Sequence, residues 1–367
     1  MGSEMCIRDR GRENLLPQFS FKDAEFLAYL LSLNHIPTIN ELTKELDSEI
    51  AIVFRRLKAI KNAGIKLGVV IDYESLGLYR AVIMTDTPLG RDEIPRYYLR
   101  FYTVSIAPPG TLLAYFYPSK DVFEDIVTKI PHRIYEFEVL KSYYRKPRFD
   151  LYFDFKDGEY IFDAEVLLNR FQELRSNADA LKYDLVFMGK RRIKKDSLDL
   201  KIIKELEKDA LQPLTEIARK IGVSYAKVRK HYKMHVEPLI EGLYVLKLPL
   251  PSDVIYVSTL IWTRNILDAI ALSKALTETP FVAGAYILRP INKEYSDHLV
   301  VLMLGRFKYE WFDQLVAVLS SYFVLSSFLL SWRAKSIYTT PYKHEYSKYT
   351  ASWIAPRLRR DEGLLNR

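Results

Sequence analysis

The sequence predicts an α+β protein with two winged helix-turn-helix units, each followed by a βαββαβ ferredoxin-like domain of the RAM or ACT type. Three observations support this fold class. A segment occurs twice, at 21–65 and 197–240. Each copy has the pattern of three short helices with a basic third helix, and alternating strand and helix patterns follow each copy. With 367 residues, 49% of them hydrophobic, the chain is long enough for several packed domains.

The two copies align with a one-residue gap just after a proline. Their apolar positions correspond as follows: Pro37 with Pro213, Leu42 with Ile217, Leu46 with Ile221, Val53 with Val228 and Leu57 with Tyr232. Because these positions form the inner faces of three short helices, the repeat predicts two copies of one helical unit.

In the first half, the leader contains MGSEMCIRDR, which has no amphipathic period. We interpret residues 1–16 as a disordered or artefactual leader. Residues 17–72 form the first winged helix-turn-helix, with a strand at 66–72 as its wing. Residues 73–145 form the first ferredoxin-like domain, with strands at 79–85, 103–107, 112–117 and 133–140 and helices at 91–100 and 119–130.

In the second half, residues 146–195 are interpreted as a connector with a hairpin around Asp157–Gly158, a helix at 164–175 and a basic linker. Residues 196–247 form the second winged helix-turn-helix, and 336–367 form a basic and aromatic tail. Residues 248–335 form the second ferredoxin-like domain, with strands at 253–262, 281–289, 297–304 and 322–331 and helices at 264–276 and 307–319.

The composition favours some partners and excludes some kinds of site. A net charge of +8 and a pI of about 9.1 favour polyanionic partners. Cys6 is the single cysteine, which excludes an intramolecular disulfide and a cysteine-based zinc site. The uncharged run Leu315–Trp332 has the minimum length of a spanning helix, but serines interrupt it, so we expect a buried helix end and a strand and no membrane partner. We expect a cytoplasmic, nucleoid-associated and archaeal-like protein.

Several motifs resemble the feast/famine regulators of the leucine-responsive Lrp/AsnC type. Leu198–Leu206 resembles the opening helix of that family, Leu214–Ser224 its second helix and turn, and Ile71–Gly77 its linker into the effector domain. The resemblance implies a transcription regulator that binds double-stranded DNA, forms homodimers and binds a small-molecule effector at its ferredoxin-like domains. Members of the family carry one DNA-binding helix-turn-helix unit, or head, per chain. This chain, with heads at 17–72 and 196–247, would therefore be a pseudo-dimer. The family's Thr-Gly between the middle strands is replaced here by Pro109–Gly110–Thr111.

The third helix of the second copy is predicted to read DNA. Ser224 is a suitable N-cap, and Val228 and Tyr232 should face inward. The outward, DNA-contacting residues are then Tyr225, Lys227, Arg229, Lys230 and Lys233. Arg229 suits a bidentate contact with guanine and the lysines suit phosphates. The alternative is a solvated basic face.

The first copy is less suited to DNA. Asp47 and Glu49 begin its third helix, and Phe54 stands where the second copy has Arg229. Its phosphate-contacting candidates are Arg55, Arg56, Lys58 and Lys61. We therefore predict that the second head dominates DNA affinity; the alternative for the first is a packing or partner-binding module. The basic linker adds Lys190, Arg191 and Arg192 as candidates for phosphate or minor-groove contact.

Catalytic motifs are scarce. No nucleophile elbow, phosphate-binding glycine loop or HExxH motif occurs. His231 and His235 have a metal-binding spacing, but we expect no carboxylate beside them and favour phosphate contact or surface exposure. The sequence thus predicts no catalytic residue, no metal, no cofactor and no enzyme. By analogy of architecture, a sirohaem-type tetrapyrrole decarboxylase is the enzymatic alternative, with His132 and His298 to test. A non-specific architectural chromatin protein is the third interpretation.

Overall fold

The computed structural model describes residues 16, 19–177, 181, 195–291, 297–337, 346–347 and 352–354. Most of the expected leader lies outside these residues, as do Lys190, Arg191 and Arg192 and most of the tail.

The first head contains three helices, α1 (Phe21–Ser32), α2 (Ile39–Glu45) and α3 (Ile50–Asn62). Capping boxes begin α1 and α2: Ser20 and Asp23 cap each other's backbone N–H groups at α1, and Thr38 and Glu41 do so at α2. The apolar faces of the three helices meet in one core.

Three helices of the second head are continued by two irregular turns. The helices are α7 (Ser197–Lys208), α8 (Leu214–Ile221) and α9 (Tyr225–His231). A π-helical turn, Tyr232–Val236, follows α9 and leads into a 3₁₀ turn, Glu237–Leu239. Because the π-turn adds a residue to the helical period, it rotates the side chains beyond it relative to an unbroken α-helix.

The predicted wings are not separate features of the two heads, because each head contributes one strand to a shared sheet. Strand β1 (Lys66–Ile71) pairs antiparallel with β8 (Ile240–Lys247), and Val69 lies opposite Leu243. The first helix of each head packs against the strand of the other head: α1 against β8 and α7 against β1. Each copy encodes only one strand here, so its backbone hydrogen bonds are satisfied by the other copy.

The eight remaining long strands form one closed barrel. They are β2 (Tyr79–Thr85), β3 (Leu99–Ala107), β4 (Pro109–Tyr117), β5 (Arg133–Tyr144), β9 (Ile255–Thr263), β10 (Val282–Pro290), β11 (Leu299–Phe307) and β12 (Val324–Ile337). Their order is β10-β11-β9-β12-β3-β4-β2-β5, and β5 closes the barrel on β10.

Each half of the barrel has the strand order of a ferredoxin-like unit, with its second and fourth strands at the edges. The fourth strand of each unit pairs with the second strand of the other, as β12 with β3 and β5 with β10. The two predicted ferredoxin-like domains therefore do not have separate sheets, because their strands close one barrel. Strands β5 and β12 extend past their predicted ends, and pairing them with the opposite unit removes the edges that open sheets would expose.

One predicted helix of the first unit is absent. Residues 91–98 form turns and loop, whereas a helix was expected at 91–100. Pro95 cannot donate a backbone hydrogen bond, and Tyr98 has a positive φ of 60°. The other helices over the barrel are α4 (Lys120–Val127), α10 (Ile266–Glu278) and α11 (Tyr309–Ser320).

The connector packs on the second unit. It contains a helical turn, α5 (Phe149–Tyr152), and then the predicted hairpin, whose two-residue strands are β6 (Phe153–Asp154) and β7 (Glu159–Tyr160). Helix α6 (Ala164–Ser176) comes next and lies against α10 and α11. Two short strands, β13 (Tyr346–Ser347) and β14 (Ser352–Trp353), complete the described chain. Within the described residues, no helix is both long and apolar enough to cross a bilayer.

Candidate functional site

The barrel and strand β8 of the shared sheet line a cavity of about 410 Å³. That volume falls within the range of small-molecule sites, about 300–1,000 Å³. Much of its wall is apolar and comes from inward-facing strand positions, including Val82, Leu112, Val139, Leu302 and Leu304. Strand β8 of the second head adds Tyr244, Val245 and Leu246. The cavity therefore lies where the heads join the barrel.

Four arginines line this cavity: Arg80, Arg100, Arg145 and Arg306. None of the described residues that line it is Asp or Glu. Arg80 continues the inward row of β2 that contains Val82, and Arg306 continues the row of β11 that contains Leu304. The barrel thus places positive charge in a pocket whose walls are otherwise apolar or tyrosine-rich.

Arg145 is the most deeply buried of the four. Its side chain lies directly after β5 and is 1% exposed. Its Nε donates to the Val282 carbonyl oxygen at 3.1 Å, while Nη1 has no hydrogen-bond partner. Burial, together with the nearby charge of Arg306, lowers the pKa of Arg145 to about 9. The guanidinium is therefore a buried donor with unused capacity.

The other arginines differ in how they are held. Arg80 donates from Nη1 to the Ser142 hydroxyl at 2.6 Å, and its buried Nε has no partner. Arg100 lies 3.7 Å from the carboxylate of Glu207 on α7. Arg306 lies over the Tyr256 ring, 5.7 Å from its centroid. Only Arg100 among them has an acidic neighbour within 4 Å in the described chain.

Tyrosines supply most of the remaining polar side chains of the cavity, beside Thr103 and Ser142. The lining tyrosines are Tyr73, Tyr115, Tyr144, Tyr244, Tyr256 and Tyr286. Burial raises the pKa of Tyr244 and Tyr286 far above the ordinary tyrosine range, so both stay neutral hydrogen-bond donors. The Tyr144 and Tyr244 rings are 4.8 Å apart between centroids. This wall combines ring faces with hydroxyl donors.

Helix α9, which is the predicted DNA-reading helix of the second head, has the predicted basic residues on its surface. Tyr225, Lys227, Arg229 and Lys230 are exposed around the buried Val228. Lys233 lies in the π-turn and pairs with Glu237 at 2.6 Å. Ser224 occupies the N-cap position, but its side chain makes no capping hydrogen bond. Most of the predicted contact residues therefore lie together on one accessible face.

In the first head, α3 is the third helix, and Arg56 on it does not fit the prediction of a phosphate contact. Its Nη1 lies 2.7 Å from the Asp23 carboxylate, and the pair fastens α3 to α1. Arg55, Lys58 and Lys61 are exposed as expected. Two large apolar side chains, Ile50 and Phe54, are also exposed on this helix, by 51% and 55%. Arg56 therefore has a structural role, and this face is more apolar than that of the second head.

The expectation that no carboxylate lies beside His231 and His235 is wrong. Their Nδ1 atoms lie 2.8 and 3.1 Å from oxygens of Asp199, which is fully buried in α7. Burial raises the pKa of Asp199 above its ordinary value. Neither His132 nor His298, the candidates for an enzymatic role, lines the cavity; both are exposed.

Comparison with protein families identifies an AsnC-type helix-turn-helix domain at residues 196–233. This confirms the predicted helix-turn-helix of the second copy. No curated protein matches the chain.

Two of the solved structures similar to the chain are those of the siroheme decarboxylase NirDL, alone and in complex with an iron-uroporphyrin III analogue. Each has a TM-score of 0.47 and 10% identity; they cover 87% and 88% of this chain and 94% of the other. Both are structures of an enzyme, so the prediction that this chain is not an enzyme finds no support in them. The likeness assigns no role to any residue of this chain, and such roles depend on the geometry of the cavity itself.

Proposed function

We propose that the barrel cavity binds a largely apolar macrocycle with several carboxylates, of the tetrapyrrole class, and that the chain removes carboxyl groups from it. The observation that carries this proposal is the set of four arginines in a cavity whose described lining contains no acid. Burying a cation without a partner costs several kcal/mol. A site that keeps Arg145 in this condition is organised for an anionic ligand.

The chemistry of the lining fits such a ligand. Guanidinium groups bind carboxylates with two parallel hydrogen bonds, which suits Arg80, Arg145 and Arg306 to separate acid side chains. Tyrosine rings and aliphatic strand residues suit the faces of a flat conjugated ring. The Tyr244 and Tyr286 hydroxyls, whose pKa values are raised by burial, are neutral donors and add no repulsion toward carboxylates. A single small acid would leave most of these groups unused.

Decarboxylation requires one bond to break and one proton to be supplied. The bond between the carboxylate carbon and its methylene breaks, carbon dioxide leaves, and the electron pair passes into the conjugated ring. A proton then reaches the methylene carbon and leaves a methyl group. We assign Arg145 as the proton donor, because it lines the cavity, its Nη1 has no hydrogen-bond partner, and burial lowers its pKa. The apolar wall removes water from the reacting carboxylate.

The proposal is tested by titrating the purified chain with siroheme and following its visible spectrum. We expect saturable binding, and a product lighter by carbon dioxide in mass spectrometry. Arg306→Met should weaken binding at least tenfold, since a charge-assisted pair contributes about 1.5–3 kcal/mol. The matched control is Arg289→Met, because Arg289 is an exposed barrel arginine paired with Glu138 outside the cavity. Unchanged binding in Arg306→Met would refute the proposal.

DNA binding by the second head is a second candidate function. The AsnC-type domain at 196–233 and the exposed basic face of α9 support it. A mobility-shift assay tests it with Arg229→Ala combined with Lys230→Ala, compared with Arg55→Ala in the first head. We expect the first variant to lose most of its affinity and the second to change little. The affinity should fall steeply with salt, because phosphate contacts release counterions. The reverse ranking would contradict a dominant second head.

A further inference from the structure

We infer that Asp199, His231 and His235 form a binding site for a divalent transition-metal ion in the second head. Their ligand atoms, one from each side chain, lie within 4.8 Å of one another. The two Nδ1 atoms converge on one carboxylate, at 2.8 Å from His231 and 3.1–3.2 Å from His235. Two imidazoles and a carboxylate are a common ligand set for Zn²⁺.

The spacing of the ligand atoms is close to what an ion requires. Zn²⁺ binds nitrogen and oxygen at about 2.0–2.2 Å, so ligand atoms around a tetrahedral ion are about 3.3–3.6 Å apart. The separation of 2.8 Å between His231 and Asp199 is shorter than this by at least about half an ångström, and those of 3.1–3.2 Å between His235 and Asp199 are only slightly shorter, so an outward rotation of the rings makes room. The imidazoles are accessible from outside, with 16% and 26% of their side chains exposed. An ion could therefore enter from solvent.

Neighbouring groups support the site. The Asp196 backbone N–H donates to Asp199 Oδ2 at 2.8 Å and fixes the carboxylate. The Asp196 carboxylate lies 3.7 Å from His231 Nδ1 and is half exposed, so it or a water molecule supplies a fourth ligand. The π-turn Tyr232–Val236 contains His235, and such turns occur frequently at functional sites.

The first head has a cation beside the aspartate that corresponds to Asp199. Asp23 holds the place of Asp199, because each is the third residue of the opening helix and each closes a capping box. Continuing the alignment of Val53 with Val228 places Arg56 opposite His231 and Ile60 opposite His235. In the first head, the Arg56 guanidinium supplies the cation beside the aspartate at 2.7 Å. In the second head, a bound ion would supply it.

The experiment is a Co²⁺ titration of the full chain after treatment with a chelator. We expect one Co²⁺ per chain, with the visible absorption of a four-coordinate ion that Zn²⁺ displaces. Zn²⁺ should also raise the melting temperature. The double variant His231→Arg and His235→Ile copies the first head, so it should fold and lose the absorption. His298→Gln is the control, since it removes an exposed histidine outside the cluster.

Two results would overturn the site. One is a wild-type chain that gives no saturable Co²⁺ spectrum and no Zn²⁺-dependent melting temperature; the histidines then only hydrogen-bond Asp199. The other is a double variant that binds Co²⁺ as tightly as the wild type. If the double variant fails to fold, Asp199→Asn replaces it and should abolish the spectrum.

Discussion

Among single residues, Arg145 is the one whose substitution should affect stability and ligand binding differently. The Arg145 guanidinium has no partner for Nη1, and the free energy lost on removing its charge from water exceeds the stabilisation from its hydrogen bond to the Val282 carbonyl. We predict that Arg145→Met unfolds at the same temperature as the ligand-free wild type or at a higher one, yet binds the tetrapyrrole at least tenfold more weakly. Differential scanning calorimetry measures the first effect. A large fall in melting temperature with unchanged binding would show that Arg145 serves the fold instead.

The lowered pKa of Arg145 also predicts a pH dependence. Below about pH 9 the guanidinium of the ligand-free chain is charged, and above it the charge is progressively lost. Affinity for a carboxylated ligand should therefore decline as pH rises through about 9, because an anion requires the charged form. Binding isotherms between neutral and alkaline pH test this. In Arg145→Met the alkaline decline should be absent; an identical decline in both proteins would assign it to another group.

At the scale of elements, the shared sheet of the heads depends on a close backbone approach at Gly242. This glycine of β8 has a φ of 147°, and a Cβ added there would meet the Leu33 carbonyl oxygen at 3.0 Å. Gly222, at the end of α8, also has a positive φ, of 69°, but a Cβ there would have open space. Any substitution at Gly242 is thus both strained and crowded.

We predict that Gly242→Ala destabilises the chain more than Gly222→Ala. The strain alone costs about 1–2 kcal/mol at either position, and Gly242→Ala adds the contact with Leu33. Urea unfolding of the two variants gives the comparison. Equal losses of unfolding free energy would mean that the approach of β8 to α1 is unimportant for stability.

Elements were predicted from sequence better than their pairing. The helices of the second head and the strands and helices of the second barrel unit follow local periodicity, which a sequence displays directly. The choice of partner strand is non-local, so the shared sheet of β1 with β8 and the closure of the barrel were not predicted. The prediction of a helix at 91–100 was also wrong, and Pro95, which has no backbone N–H to donate, was the residue that argued against it.

The site residues were harder to foresee for the same reason. Arg80, Arg145 and Arg306 are far apart in sequence and converge only through the barrel. A usable signal existed in the strand parity: Arg80 and Arg306 stand on the same face as Val82 and Leu304, where an apolar residue is expected. The pairing of Asp199 with the two histidines depends on the packing of α7 against the end of the reading helix.

For the whole molecule, the way in which the two halves join explains how one chain can carry the two proposed sites. Two ferredoxin-like units close a single barrel, and two heads share a single sheet above it. The first head keeps a covalently attached cation, Arg56, where the second has two imidazoles. The cavity borders β8, a strand of the second head, so a bound ligand would contact that head directly.

The proposed function requires that the cavity recognise the carboxylates of a tetrapyrrole. The most direct measurement compares the affinity of the ligand-free chain for uroporphyrin as the free acid and as its methyl ester, by fluorescence titration. The two share a ring and differ in charge. We predict saturable binding of the free acid that weakens with salt and is lost in Arg306→Met, and at least a tenfold lower affinity for the ester. Equal affinity for acid and ester, or no saturable binding of either, would contradict recognition of carboxylates by the cavity.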